Sequence, residues 1–279
     1  MSIIIDTHQH FWNLDKVEYF WLTPEAGPVL YRNIEPPELE PLLKKAGVDK
    51  TVIVQSGHTY DDNAYMLEAA EKYDWVAGVV GWVPLYDPDE AGKKLEEYSK
   101  NPYFKGIRHL IHEEPDPDFV VRDEMIEGLK VLASFNMTFD VVAVFPNHLK
   151  HVPTLAEKVP NLNMVIDHMA KPPIKDKGWE PWASQFKAAA SYPQVYSKVS
   201  GLNTAAAPDW TAEDLKPYID FALEAFGSKR LMFGSDWPVA NLQGDYQQVW
   251  EETNKVLDTF SEQDRENILG KTAIRFYNL

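Results

Sequence analysis

Apolar and polar positions along the chain follow a two-beat rhythm. A short β-branched run is followed by a stretch with apolar residues three and four apart, and the pair repeats. Ile3-Ile4-Ile5 opens the series as a buried strand. A polar, aromatic loop from residue 11 to about 33 comes next, long for a connection, and connections of that length tend to be functional. Pro36-Pro37 then starts a helix with Leu39, Leu42 and Leu43 on one face, closing at Gly47. Further strands are predicted at 51–55, 76–83, 105–111, 138–143, 163–168, 195–200 and 230–236. Helical spacing covers 63–72, 91–99, 125–135, 149–158, 182–191 and 212–226, with helices filling the rest.

Eight strands, each followed by a helix, predict parallel pairing through crossovers. Eight such units in 279 residues predict an α/β chain forming a single (β/α)8 barrel of the TIM type, one domain over 1–279. A doubly wound open sheet is the competing architecture. Against it, the first strand-to-helix turn lacks Gly-x-Gly-x-x-Gly. The segment 170–180, with Pro172, Pro173 and Gly178, reads as a surface excursion rather than a boundary.

Composition removes several function classes. Hydrophobic residues make up 44% of the chain, enough for a large core. The net charge of −16 disfavours nonspecific binding to nucleic acid or to an anionic membrane, although a local arginine still allows an anionic small substrate. Without cysteine there is no disulfide and no thiolate nucleophile or ligand. No basic-then-apolar leader and no run of about 20 apolar residues is present, so a cytoplasmic enzyme is expected.

Barrels of this kind carry their chemistry at the C-terminal ends of the strands. The residues there are His8, His10, Gln55, Trp82, Arg108, His109, Asp140, His168, Lys198 and Asp236. His8 and His10 project from one face of a strand, roughly 6.6 Å apart at about 3.3 Å per residue, so both imidazoles can meet one ion or one substrate atom. The plainer alternative is one packed and one solvated histidine. Asp236 fits a proton acceptor, or the N-cap of the following helix. Arg108 lies inside an apolar strand and needs a partner, either a substrate held through a bidentate clamp or a structural acid. Lys198 has the same two choices. His109, one residue on, is expected to face the helices as a packed histidine. Trp12, Trp21, Trp82 and Trp237 lie near strand ends, where indole faces suit sugar rings and also ordinary packing. Lys171 is a solvated or site residue. His58 and His112 are weaker substrate candidates, His148 and His151 surface residues, and the acidic run 113–118 a solvated loop.

These residues carry a resemblance. Asp6-x-His8-x-His10, Asp167-His168-Met-Ala-Lys171-Pro172 and Gly234-Ser-Asp236-Trp-Pro238, in this order, resemble the amidohydrolase superfamily. More narrowly they resemble its "amidohydrolase 2" branch, which holds sugar-acid lactonases of the L-fuconolactonase and L-rhamnonolactonase kind and 2-pyrone-4,6-dicarboxylate lactonase. Supporting stretches are His10-Phe-Trp12, Lys105-Gly-Ile-Arg-His109, Tyr196-Ser-Lys-Val-Ser-Gly-Leu202 and Ile274-Arg-Phe-Tyr277. The resemblance implies a barrel, hydrolytic chemistry and a site built from His8, His10, His168 and Asp236. Binuclear members carry a bridging lysine or glutamate on strand four and a histidine on strand five. Here those strands offer Arg108, His109 and Asp140, so one metal or none is implied rather than two.

The expected activity is hydrolysis of the lactone ring of a sugar acid, or of a related carboxylated lactone, in carbohydrate metabolism. Water attacks the ester carbonyl, Asp236 serves as general base, and His8, His10 and His168 organise the electrophile. One divalent metal is expected on His8, His10, His168 and Asp236, zinc first and manganese second. The same histidines acting without metal are the alternative. Arg108, Lys198, Gln55, Trp12 and Trp82 are expected to read the substrate. A metal-dependent decarboxylase of the same branch is the second activity, and a barrel that only binds its ligand is the non-enzymatic one. The expected partner is a small-molecule lactone, with no nucleic acid and no membrane; a homo-oligomer stays open, and the sugar is not specified.

Overall fold

Parallel strands in chain order, hydrogen-bonded each to the next, form the centre of the computed structural model, which describes residues 2–279. They are β1 (Ile5–Gln9), β2 (Lys50–Val54), β3 (Val76–Gly81), β4 (Phe104–His109), β5 (Thr138–Val141), β6 (Met164–Ile166), β7 (Val195–Val199) and β8 (Leu231–Phe233). The circle closes between β8 and β1 just past the last strand: Asp236 N–H donates to the His8 carbonyl and His10 N–H to the Trp237 carbonyl, both at 2.8 Å. The (β/α)8 barrel expected from the eightfold alternation is therefore the fold.

The major helices between and after the strands are α1 (Pro36–Ala46), α2 (Tyr60–Lys72), α3 (Pro88–Tyr98), α4 (Asp123–Ser134), α5 (Val152–Lys158), α6 (Trp182–Ala190), α7 (Ala212–Phe226) and α8 (Tyr246–Leu257). Local chemistry sets their ends. In α1, Glu35 and Glu38 form a reciprocal cap and Gly47 stops the helix in the left-handed region. Thr59 caps α2 through the amide of Asp62. Outward-facing strand residues such as Ile53, Val79, Ile107 and Phe139 pack with these helices in one large apolar core. Inward-facing Ile5, Val52, Val54, Val80, Val165 and Met232 form a second, smaller cluster with Ala273, Phe276 and Tyr277 of the C-terminal helix. Among the described residues no helix is long and apolar enough to cross a membrane.

Strands β2 to β8 end one to three residues earlier than their apolar runs predict, and after β6 and β8 the backbone turns left-handed. β6 stops at Ile166, and His168, Met169, Ala170 and Lys171 all take left-handed backbone, with φ of 55°, 51°, 62° and 53°. β8 stops at Phe233, and Asp236 is left-handed as well, φ 62°. Left-handed backbone costs an L-residue roughly 1–2 kcal/mol, so the surrounding contacts must hold it. Trp182 Nε1 donates to the Met169 carbonyl at 2.9 Å, and Phe145 N–H donates to the Ala170 carbonyl at 2.9 Å. The strain sits at the ends of the two strands that carry His168 and Asp236.

The long loop after β1 is pinned over the same end. Trp12 and Ile34 form an antiparallel bridge. Trp21 Nε1 donates to the Ser56 carbonyl at 2.6 Å, and the Tyr19 hydroxyl to Asp62 Oδ1 at 3.1 Å. These bonds fix Trp12 and Trp21 beside the ends of β1 and β2.

Candidate active site

His8, inside β1, and His10, one residue past its end, turn their rings toward each other, with the two Nε2 atoms 3.2 Å apart. The left-handed turn after β6 brings His168 beside them, and the one after β8 brings Asp236. Asp236 Oδ1 lies 3.8 Å from His8 Nε2, 3.6 Å from His10 Nε2 and 3.7 Å from His168 Nε2. All four side chains are nearly fully buried. Asp236 does not cap the following helix. Its Oδ2 is buried without a hydrogen-bond partner among the described residues, and the nearest cation is Lys171 Nζ at 3.7 Å. A left-handed Gly201 faces this pair: a Cβ there would lie 2.5 Å from Asp236 Oδ2 and 2.7 Å from His168 Nδ1.

A buried ionic layer lies beneath. Lys198 Nζ reaches Asp140 Oδ2, Asp167 Oδ1 at 3.1 Å and His8 Nδ1 at 3.0 Å. Tyr277 donates its hydroxyl to Asp140 Oδ2 at 2.8 Å. Arg108 Nε donates to Gln55 Oε1 at 3.0 Å and Nη2 to the Gln55 carbonyl, while Nη1 lies 3.5 Å from Asp167 Oδ2 and 3.4 Å from His8 Nε2. Buried charges require partners of this kind.

Burial, reinforced by Lys198, holds His8 well below the usual imidazole range. Burial likewise lowers His10, and lowers His168 to about 3 with Lys171 contributing. All three are neutral imidazoles near pH 7, the form that offers a lone pair. Burial would raise the Asp236 carboxyl, but His168, His10 and Lys171 around it together bring it far below the ordinary carboxylate range. The same opposition of burial against Lys198 and His8 leaves Asp167 ionised. The floor therefore carries neutral nitrogen donors around one ionised, partly unsatisfied carboxylate.

Above it opens a cavity of about 410 Å³. His10, His168, Asp236 and Arg108 form its floor; Trp12, Trp21, Leu110, Val142, Val144 and Val239 give it an apolar wall; Ser56, His112, Glu113, Lys171 and Thr204 give it polar groups. Arg108 and Trp12 thus stand where substrate contact was expected. Lys198, Gln55 and Trp82 are buried outside that lining. His112 lines the cavity, and burial with Arg108 lowers it to about 4. His109 is packed, as its strand position predicts. It accepts from Trp82 Nε1 at 3.3 Å, bonds Glu114 Oε1 at 2.7 Å and stacks on Phe119. His58 accepts the Leu110 amide at 2.9 Å beside it.

Sequence reasoning passed over Ser56, Leu110, Val142, Val144, Thr204 and Val239, and read Glu113 as part of a solvated loop, whereas it lines the cavity. Ser56 had the clearest signal, one residue beyond a strand-terminal glutamine; its Oγ is buried with no partner among the described residues. The others belong to loops whose paths are set by tertiary contacts.

Residues 5–279 match the family described as Amidohydrolase (Amidohydro_2). An L-fucono-1,5-lactonase of Burkholderia ambifaria is 36% identical over 283 residues, spanning 100% of this chain and 97% of that protein. A second L-fucono-1,5-lactonase, from Burkholderia multivorans, is 33% identical with the same coverage. The crystal structure of a Burkholderia multivorans amidohydrolase with bound zinc superposes with a TM-score of 0.91 at 32% identity, each chain covered completely. Solved decarboxylases share the barrel at 11–15% identity, a likeness of fold alone.

Proposed function

The chain belongs to the amidohydrolase family and is a lactone-opening hydrolase, and from that premise we propose that it opens a neutral, six-membered sugar-acid lactone of the L-fucono-1,5-lactone kind, with Asp236 moving the proton. The observation that carries the mechanism is an ionised Asp236 at the floor of a cavity, its Oδ1 within 3.8 Å of three imidazole nitrogens and its Oδ2 without a hydrogen-bond partner among the described residues. A water at the cavity floor loses its proton to the Asp236 carboxylate as its oxygen bonds to the ester carbon. The carbonyl oxygen takes up the negative charge among Arg108 and the floor histidines. The ring carbon–oxygen bond then breaks, and Asp236 returns the proton to the departing oxygen, leaving a hydroxy acid. Lys171, 3.7 Å from Oδ2, favours the ionised carboxylate before attack and after the proton has been returned.

The residues also fit one divalent metal. A tetrahedral shell at about 2.0–2.1 Å needs ligand atoms about 3.4 Å apart, and the nitrogen pair at 3.2 Å and the nitrogen–oxygen pairs at 3.6–3.8 Å approach that spacing. His8 and His10 through Nε2 and Asp236 through Oδ1, which lie within 4.8 Å of one another, would hold it, with His168, 3.7 Å from Asp236 Oδ1, closing in as the fourth ligand; zinc is the first choice for this donor set. When bound, it supplies a Lewis acid that polarises the lactone carbonyl. Dialysis against a chelator is expected to remove activity, and zinc or manganese to restore it. Full activity in protein shown metal-free by elemental analysis would give the electrophilic role to the histidines and Arg108.

Two features support a neutral sugar over a dicarboxylate. Arg108 gives Nε and Nη2 to Gln55 and keeps only Nη1 for a ligand, not a two-pronged clamp for a carboxylate, and Glu113 adds a negative charge to the wall. A pH-indicator screen of lactones tests this. Neutral 1,5-lactones should exceed carboxylated ones in kcat/KM by about tenfold or more, roughly 1.4 kcal/mol of discrimination. Equal rates, or release of CO2, would sink the assignment.

Ser56 and Arg108 should respond differently to truncation. Ser56→Ala removes the hydroxyl of a cavity-lining residue that has no hydrogen-bond partner among the described residues. KM should rise by roughly 2- to 12-fold, the worth of one hydrogen bond of about 0.5–1.5 kcal/mol, with little change in melting temperature. Arg108→Met strips Gln55 and Asp167 of a buried donor. It should cost about 1–3 kcal/mol of stability and lower kcat more than it raises KM. A reversed pattern in steady-state kinetics and thermal melts would make Arg108 the substrate clamp.

A further inference from the structure

Lys198 and the Val54 carbonyl stand at opposite ends of one buried hydrogen-bond chain. Lys198 Nζ lies 3.0 Å from His8 Nδ1, His8 Nε2 lies 3.2 Å from His10 Nε2, and His10 Nδ1 lies 2.7 Å from the Val54 carbonyl oxygen. An ammonium only donates and a backbone carbonyl only accepts. The Val54 end therefore places the His10 proton on Nδ1 and leaves its Nε2 bare. The Lys198 end makes His8 Nδ1 an acceptor and places the His8 proton on Nε2. The middle contact agrees with both ends, because a protonated His8 Nε2 then donates to a bare His10 Nε2. Every donor in the chain points the same way.

We propose that this chain closes the His8–His10 pair to a cation, and that Lys198 is the positioning residue that sets the metal affinity of the site. In the ordered chain His8 Nε2 carries a hydrogen and His10 Nε2 already accepts it, so neither offers the lone pair that a metal needs. Metal entry moves the His8 proton from Nε2 to Nδ1, with no proton gained or lost. Lys198 releases Nδ1 and keeps Asp140 and Asp167 as its acceptors. The new N–H faces Asp167 Oδ1, 3.2 Å from Nδ1. Two contacts favour the reversed arrangement: Asp167 Oδ1, 3.2 Å from His8 Nδ1, and Arg108 Nη1, 3.4 Å from His8 Nε2, the latter having Asp167 Oδ2 at 3.5 Å as its other acceptor. The layer thus holds two proton arrangements of one histidine, and Lys198 favours the closed one.

The inference rests on the reading of His8, His10, His168 and Asp236 as the cation site, and its test needs no substrate, so it fails or stands separately from the lactonase assignment. Nitrogen-15 NMR of the histidine rings in the metal-free, full-length protein reads the proton directly, the His8 signals being those lost in His8→Gln. A bare Nδ1 and a protonated Nε2 are expected, inverting when zinc is added to saturation. In Lys198→Met the proton should lie on Nδ1 before any metal is added, and calorimetry should give zinc binding tighter by about tenfold or more. A protonated Nδ1 in the metal-free wild type overturns the proposal. So does a gain in zinc affinity in Lys198→Met with the proton still on Nε2, which would assign the gain to the lost positive charge alone. If Lys198→Met does not fold, the wild-type spectrum decides by itself.

Discussion

Asp236→Asn is expected to lower kcat by about 10²–10⁴, the range for removal of a general base. The amide keeps the shape of the side chain, so the three imidazoles and the cavity stay in place and the loss falls on proton transfer. KM should change little, because the lost interaction belongs to the transition state. The wild-type pH profile gives a second reading. A base must be ionised to act, and acid removes its function only below its own pKa. Asp236 is brought below the ordinary carboxylate range despite its burial, and His168 stays neutral down to about 3. Folded protein should therefore keep a flat kcat/KM as the pH falls from 7 through 5. An acid limb centred between 6 and 7 would mean that a different group takes the proton. Full activity in Asp236→Asn would remove the proposed chemistry, with metal or without.

The sequence made the barrel readable because each strand is an apolar run of near-uniform length, and because its helices carry caps and stops at their ends. The four floor residues were readable for a related reason. Each lies where an apolar run gives way to polar residues, and in a parallel barrel all such points gather at one mouth. Spacing alone brought His8 and His10 to one face. What local pattern does not encode is partnership across the barrel. Arg108 and Lys198 announced themselves as charges in apolar strands. Their acids are Asp167 and Asp140, the latter 58 positions from Lys198 in the chain. No periodicity links strands five, six and seven at that distance. A buried cation in a strand could equally serve a substrate or an acid, and only the register β4–β5–β6–β7 decides which groups adjoin.

Backbone hand is the other thing that the sequence hid. Asp167-His168-Met-Ala reads as the end of a strand, and none of its residues favours left-handed geometry. The turn forms because Met169 and Ala170 are buried and their carbonyls are held by Trp182 and Phe145, contacts made by distant segments. Tertiary structure overrides local preference here, at the residues that deliver His168 and Lys171 to the floor.

Gly201 is where that strained geometry is most exposed to a single change. Its φ of +57° is left-handed, and its missing side chain is the space occupied by Asp236 Oδ2 and His168 Nδ1. Gly201→Ala introduces a methyl 2.5 Å from the first and 2.7 Å from the second, so both groups must shift. The backbone term alone should cost roughly 1–2 kcal/mol of stability. The displacement of the base should cost more in rate, because a misplacement of about 1 Å lowers turnover by about 10²-fold. Gly47→Ala separates the two effects. It carries a similar backbone penalty at φ +74°, after α1, where an added Cβ meets nothing within 4 Å. Both variants should melt earlier than the wild type, and Gly47→Ala should retain its kcat while Gly201→Ala loses about two orders of magnitude. Equal kcat in the two would mean that Asp236 and His168 tolerate displacement, and the tight convergence of the floor would then have no part in the rate.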